Sequence, residues 1–563
     1  MQSQQKQSPK SPIQAFFQRV AAAPEALAMV QPVGAGVLRE YRWREMGDEV
    51  RRMATHLVSL DLPPNSKVAL FSKNCAEWIM ADCAIWMAGH VSVPLYPTLT
   101  PEAVAHILHH SESKALFVGK LDIWEEVAEA IPQDLPCVAF SLAPGSARKK
   151  YPVWSDIVRD QEPLDAIVPV PADAVATIIY TSGTTGMPKG VMHSVNNLSV
   201  MGERVPKVYQ LVPEDRMLSY LPLSHVAERA ALELSMLYVG QTIYFADTLE
   251  TFAEDIQRAR PTLFFGVPRI WTKFYQKASE AVPPAKLKRL LRIPLLSGVV
   301  RRKVLKAMGL DQCRIALSGA SALSPEVIRW YGSLGLEILE VYGMTENMGW
   351  SHATRVGEQT IGWVGRPHDG VEQKIADNGE ILVRSIATMQ GYFKDEVRTR
   401  DDLTEDGWLR TGDVGEIDAK GRLRITGRVK EIFKTEKGKY VAPAPIENLL
   451  VSHPGVDQAC VMGVDLPQPV ALLCLAPELR MKLAEAGERD AFLADLGALR
   501  KRVNEQLDPH ERLDALVVVR EEWAVENNLL TPTLKLKRNE LEKLYDQHLP
   551  SWAAQKGVVW ASA

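Results

Sequence analysis

At 563 residues the chain is too long for one ordinary hydrophobic core, so several domains or subdomains are expected. Its 46% hydrophobic and 24% charged residues are those of a globular protein, and a formal charge of −4 gives no basis for nucleic acid as its main partner. Cys75, Cys83, Cys137, Cys313, Cys460 and Cys474 lie scattered without metal-ligand spacing, which argues against a disulfide framework and fits the reduced thiols of a cytoplasmic protein.

The chain opens on MQSQQKQSPKSP, a Gln/Ser/Lys-rich lead-in over 1–12 that lacks the apolar region of a signal peptide and is expected to be disordered. The longest apolar stretch, Trp78 to Tyr96, is interrupted by Asp82 and His90 and reads as a buried helix running into a strand, not a membrane span. Short β-branched runs at 68–72, 114–119, 137–140, 176–180, 242–246, 262–267 and 313–319 alternate with amphipathic segments such as PEAVAHILHHS. That alternation predicts α/β architecture with mainly parallel sheets. From about Glu372 the strands look antiparallel, with DAKGR at 418–422 as a hairpin turn. Beyond 428–431 the pattern becomes a separate α+β unit. It has a helix in PAPIENLLVSH, a strand in ACVMGV, a helix over 491–506 and a strand in ALVVV. The expected division is a large domain over 13–429, with α/β sheet subdomains and a β-rich subdomain, and a small α+β domain over 430–563.

YTSGTTGMPKG, Tyr180 to Gly190, stands out because it follows a good buried strand with glycines and hydroxyls and ends on a lysine. A flexible linker is the plain reading, but linkers seldom interrupt a β/α pattern. A loop at a strand's carboxyl end, with glycines for close approach, hydroxyls and consecutive N–H groups, is instead suited to cradle phosphates. It is not the common phosphate loop, which needs Gly-Lys-Ser/Thr opening a helix. Here Lys189 follows Met187-Pro188 and precedes a glycine.

The run Ser-Gly-Thr-Thr-Gly-x-Pro-Lys-Gly resembles the phosphate-loop signature of the adenylate-forming superfamily, which includes acyl-CoA synthetases, luciferases and peptide-synthetase adenylation domains. VYGMTEN (341–347), LRTGDVGEID (409–418), ITGRVKEIFKTEKGKYVAPAPIE (425–447) and LTPTLKLKR (530–538) follow in that family's order, from about residue 40 to 540. LPLSHVAERA (221–230), GVPRIWTK (266–273) and the TPTLKLKR tail look most like long-chain fatty acyl-CoA synthetases.

The resemblance implies an ATP- and Mg²⁺-dependent ligase that joins a long-chain fatty acid to AMP and passes the acyl group to coenzyme A. It also implies the roles. Thr181, Ser182, Gly183, Thr184, Thr185 and Lys189 would hold the outer phosphates, Thr345 the α-phosphate and Glu346 the metal, with Thr181 as a second metal contact. Tyr342 would stack on adenine beside Gly319 and Ala320. Asp413, supported by Arg428, would take the ribose hydroxyls. Lys535 would bridge α-phosphate and carboxylate, although Leu534 stands where many relatives have glycine and Lys537 is a nearby competitor. His225 would lie beside the substrate carboxylate and Trp271 along the acyl chain. Lys430 would be the hinge of a mobile small domain that exchanges Lys535 for the 434–440 loop, with Lys434 near the adenylate and Gly438 beside the pantetheine arm. Taken singly, each has a plainer reading: Thr345-Glu346 as a capping pair, Asp413 as a turn residue, Lys535 as a solvated lysine, His225 and Trp271 as core.

The chain from 281 to 310 holds eight basic residues and no acidic one: Lys286, Lys288, Arg289, Arg292, Arg301, Arg302, Lys303 and Lys306, interleaved with Leu, Ile and Val. That pattern suits either a solvated helix pair or peripheral contact with an anionic membrane face. A carrier-protein thiol as acceptor, a medium-chain or aryl acid, and a non-catalytic nucleotide-binding regulator are the rival functions. Oligomeric state stays open, a homodimer included.

Overall fold

The computed structural model describes residues 9–181, 187–483, 486–525, 527–531 and 535–561. Its central sheet has seven strands in the order Gly391–Tyr392, Lys189–Ser194, Val175–Thr181, Val91–Leu95, Lys67–Phe71, Ala115–Val118, Cys137–Ala139. The five strands from Val175–Thr181 onward are parallel, as the alternating pattern predicts. The first two are antiparallel additions. Hence the strands on either side of the glycine- and hydroxyl-rich run pair antiparallel, with Thr181 and Lys189 as cross-strand partners.

A five-stranded sheet carries parallel Leu263–Gly266, Ile315–Ser318 and Ile338–Tyr342, then two short antiparallel strands. A third sheet pairs Leu27–Pro32 with Thr242–Phe245 in parallel although they are far apart in sequence. The antiparallel sheet anticipated after Glu372 runs Val371–Ile375, Glu380–Ser385, Leu409–Ile417, Leu423–Arg428, and its last turn is at 418–422. Past the ribbon Phe433–Lys434/Tyr440–Val441, helix Pro443–Leu450 precedes a four-stranded mixed sheet, Val456–Met462, Val470–Leu475, Ala515–Val518, Gly557–Trp560. The helix expected over 491–506 spans Ala486–Asn504. The lead-in ends in structure: Ser11 accepts the Gln14 N–H and caps helix Pro12–Ala22.

Helix Ala76–Met87 is buried on every side, which explains a sequence that is apolar apart from Glu77 and Asp82. Asp82 is bonded to the guanidinium of Arg229, which also meets Glu233 at 3.1 Å and Thr177 Oγ1 at 2.6 Å, all fully buried. The guanidinium donates to one oxygen of each acid. Replacing Arg229 with methionine strands two buried carboxylates, and unfolding in denaturant should show a loss of about 3–5 kcal/mol. An unchanged midpoint would mean that this cluster contributes nothing to the core. No helix among the described residues is long and apolar enough to cross a membrane.

Candidate active site

The carboxyl ends of the parallel strands, the antiparallel sheet and the small domain together enclose one cleft of about 3150 Å³. Thr181, Lys189, His225, Ala320, Tyr342, Thr345, Glu346, Asp413, Arg428, Lys430, Lys434 and Lys535 all line it. Ser182, Gly183, Thr184 and Thr185 lie outside the described residues.

On the strand after the glycine-rich run, Lys189 Nζ donates to Glu346 Oε1 at 2.8 Å and to Tyr392 Oη at 2.6 Å, and it lies 4.0 Å from the Tyr392 ring centroid. Burial alone would raise the Glu346 pKa. The Lys189 ammonium and the hydrogen bonds from Lys189 and Tyr392 outweigh that and hold it below the ordinary carboxylate value, so Glu346 is ionised. Thr345 and Glu346 form a short 3₁₀ turn after strand Ile338–Tyr342, so they are not a helix cap. The Thr345 carbonyl accepts from His193 Nε2 at 2.7 Å, while Asn197 donates to His193 Nδ1 at 3.2 Å. Burial pushes the His193 pKa down to about 4, which keeps that ring neutral with one donor and one acceptor. Thr181 Oγ1 is buried with no partner among the described residues.

Asp413 and Arg428 are cross-strand partners, Arg428 Nε lying 3.0 Å from Asp413 Oδ1. Tyr342 Oη donates to the other carboxylate oxygen at 2.7 Å, and burial followed by the Asp413 charge drives its pKa upward. A planar ring and a buried carboxylate thus stand side by side. Gly319 is tightly packed, since a Cβ there would lie 2.8 Å from Val341 Cγ2, and it does not line the cleft. Ala320 takes φ of 71°, an uncommon conformation for a residue with a side chain.

Lys535 enters from the small domain. The turn beneath it is closed by Thr531 N–H to Lys535 O at 2.8 Å and Lys535 N–H to Thr531 Oγ1 at 3.1 Å. Its side chain is exposed and lines the cleft. Desolvation and then the nearby Arg428 lower its pKa, with Asp413 and Glu346 opposing. Lys537 points elsewhere, its ammonium bonded to Asn528. Lys430 is exposed in a turn closed by Glu431 N–H to Arg428 O, and the loop holding Lys434 and Gly438 is exposed at the rim, Gly438 having φ of 73°.

His225 is half-buried, its Nδ1 accepting the Ala227 N–H at 3.2 Å; burial and the Lys535 charge lower its pKa to about 4. Trp271 corrects the expectation of a residue along the acyl chain. It is fully buried against Phe264 and Tyr331, its indole N–H directed at the Gly266 and Leu317 carbonyls, and it does not line the cleft. The apolar wall comes instead from Met201, Val205, Tyr209, Ala230, Ile256 and Phe274.

Tyr392 and Asp402 around Lys189, and His193 behind Thr345, carry no sequence signal, whereas Glu228 sits within LPLSHVAERA beside His225. Glu228 Oε1 accepts from Ser219 Oγ at 3.0 Å and the Tyr220 N–H at 3.1 Å, and Asn74 takes the Leu223 N–H at 3.0 Å, fixing the loop that presents His225. Burial lifts the Glu228 pKa to about 8. A raised carboxyl contributes stability that is complete below its ordinary 4.5 and is lost as pH climbs toward 8. Glu228→Gln, which cannot ionise, should therefore gain on the parent by several kcal/mol between those pH values in paired denaturation curves. Parallel curves would show that Glu228 is already ionised in the fold. Finally, Arg269 of the large domain meets Asp457 of the small one at 3.0 Å.

Comparison with known proteins adds to this geometry. Residues 16–393 match the family model described as AMP-binding enzyme, and 431–552 match that described as AMP-binding enzyme C-terminal domain. A Mycobacterium bovis protein named long-chain-fatty-acid--CoA ligase FadD15 is 30% identical, over 91% of this chain and 93% of its own. An Arabidopsis thaliana protein named long chain acyl-CoA synthetase 6, peroxisomal, is 31% identical over 94% of this chain and 84% of its own. Among solved structures, an anthranilate CoA ligase bound to anthranoyl-AMP superposes with a TM-score of 0.80 at 21% identity, covering 98% of this chain and all of that one.

Proposed function

Because this chain belongs to the family of AMP-binding enzymes, as the two matched models establish, we propose that it is an AMP-forming ligase that joins long-chain fatty acids to coenzyme A. The observation that carries this reading is the convergence, in one cleft, of Lys535 from the small domain with Glu346, Asp413 and Arg428 from the large one. The long-chain relatives support the acid class, and the apolar wall beside His225 is compatible with it.

A carboxylate repels nucleophiles and its oxygen leaves badly; transfer to the α-phosphorus of ATP, with loss of pyrophosphate, makes that oxygen a leaving group. Two anions must therefore meet, and cations with fixed N–H donors must hold them. Lys535 bridges the incoming carboxylate and the α-phosphate. Lys189, with the 182–185 run, holds the outer phosphates, and Thr345 contacts the α-phosphate. Asp413 accepts from both ribose hydroxyls, and the Tyr342 ring covers adenine. Neutral His225 approaches the acid as a hydrogen-bonding group without adding charge. The orphaned Thr181 hydroxyl and the ionised Glu346 are hard oxygen donors that fit Mg²⁺, and the ion would neutralise phosphate charge there.

For the thiol-dependent step the small domain turns about Lys430, bringing Lys434 and Gly438 toward the adenylate. Lys430→Pro should slow thioester formation at least ~10-fold while sparing acyl-AMP formation, since proline fixes φ in the turn that must rotate. Equal thioester rates would remove the hinge. The overall test supplies ATP, Mg²⁺, palmitate and CoA and follows AMP, pyrophosphate and thioester, with acids of graded length. AMP without CoA consumption would favour a carrier-protein acceptor, a medium-chain or aryl optimum would displace the long-chain assignment, and no turnover with any acid would leave a nucleotide-binding regulator.

A further inference from the structure

Helices Pro284–Leu291 and Pro294–Ala307 pack on each other, and between them only Leu287 is fully buried. Val300, Val304 and Leu305 already face the core around Phe264 and Tyr331. The inner face of the second helix is thus satisfied, and its remaining apolar residues are a separate, outward set. Ile293, Leu296 and Val299 are exposed, and Leu295 is 92% exposed. All eight basic residues of this segment are exposed too, and none forms an ion pair among the described residues. Exposed leucines crowned by unpaired cations, on a chain whose net charge is −4, are a local feature that solubility does not require.

The hairpin also adjoins the cleft: Lys286, Leu290, Val300 and Val304 line it, as does Leu249, itself 91% exposed. We propose that this hairpin docks on an anionic lipid bilayer, with Ile293, Leu295, Leu296 and Val299 entering the headgroup–acyl boundary and the cations meeting lipid phosphates. The acid then reaches the adjoining cleft from the same surface. Charge and shape favour this occupant. Nucleic acid would engage the cations but leave the apolar tip in water. A second copy related by a two-fold axis would set eight cations against eight. A basic helix with outward leucines satisfies both sets only at an anionic interface. Docking is independent of the catalytic assignment; delivery of the acid rests on it.

The test uses the full chain and vesicles of equimolar phosphatidylglycerol and phosphatidylcholine, against phosphatidylcholine alone. The parent should float with the anionic vesicles and release at high salt. Two variants alter only exposed residues: Arg301→Glu with Arg302→Glu, and Leu295→Asp with Val299→Asp. Each should weaken vesicle partition at least ~10-fold, with unchanged thermal melting and unchanged rates on a short, freely soluble acid. With palmitate presented in vesicles, thioester formation should fall in step with partition. Absence of flotation by the parent, or equal flotation by both variants, overturns the docking. A dimer that these variants abolish, without flotation, reassigns the face to a second copy. Flotation lost with no change in use of vesicle-borne palmitate overturns delivery.

Discussion

Lys535→Ala is expected to slow acyl-adenylate formation by roughly 10²–10³-fold, the usual consequence of deleting one preorganised charge from a transition state. The thiol-dependent step, started from preformed acyl-adenylate, should stay within a few-fold of the parent, because the proposed rotation withdraws this side chain before the thiol arrives. The reason lies in how the lysine is held. A turn closed by Thr531 projects it into the cleft, where it feels Glu346 and Asp413 on one side and Arg428 on the other. Crowding by Arg428, added to desolvation, lowers its pKa, so the alkaline limb of the adenylation step should fall below the ordinary lysine value of 10.5. That limb should vanish in the alanine variant. Lys537→Ala is the control, since that ammonium is already occupied by Asn528. Pyrophosphate release measured for both decides the matter; equal losses would show that the cleft lysine has no special part.

Glu346→Gln should cost the same step about 10²-fold and raise the Mg²⁺ concentration needed for half-maximal rate about tenfold. Glutamine keeps the shape and loses the charge. The side chain is nearly isosteric, so the short turn at 345–347 and the Met389 N–H bond to the Glu346 carbonyl should survive, and melting should be little changed. Lys189 would then retain Tyr392 and, at 3.8 Å, Asp402. A Mg²⁺ titration of pyrophosphate release separates two possibilities. Identical half-saturation in parent and variant would reduce Glu346 to a counter-ion for Lys189 and defeat its assignment to the metal.

Strand positions were legible because burial on both faces demands unbroken β-branched runs, and those at 68–72, 176–180 and 262–267 all became strands. The pairing of Asp413 with Arg428 sits in two recognisable motifs, yet its geometry comes from antiparallel register, which depends on the turn at 418–422. What stayed hidden depends on distance in space. Tyr392 touches Lys189 although two hundred residues separate them, and nothing in GYFKD marks that tyrosine. His193 looks like a strand residue and proves to hold a carbonyl beside Glu346. That Lys189–Ser194 returns antiparallel beside Val175–Thr181 was not legible either, because a strand's end looks alike whether helix or strand follows. Trp271 shows the converse error: its motif pointed to the substrate, while its indole N–H bonds two core carbonyls.

All six cysteines are free; five are buried, the sixth is half-buried, and none lines the cleft among the described residues. Burial raises every one of these thiols, Cys137 to about 11 and Cys75, Cys313 and Cys460 to about 12. Thiolate, not thiol, is what attacks an activated acyl group. A catalyst that holds a reactive mixed anhydride for an incoming sulfur nucleophile has thus sequestered its own sulfur, and self-acylation finds no thiolate of the protein in the cleft among the described residues.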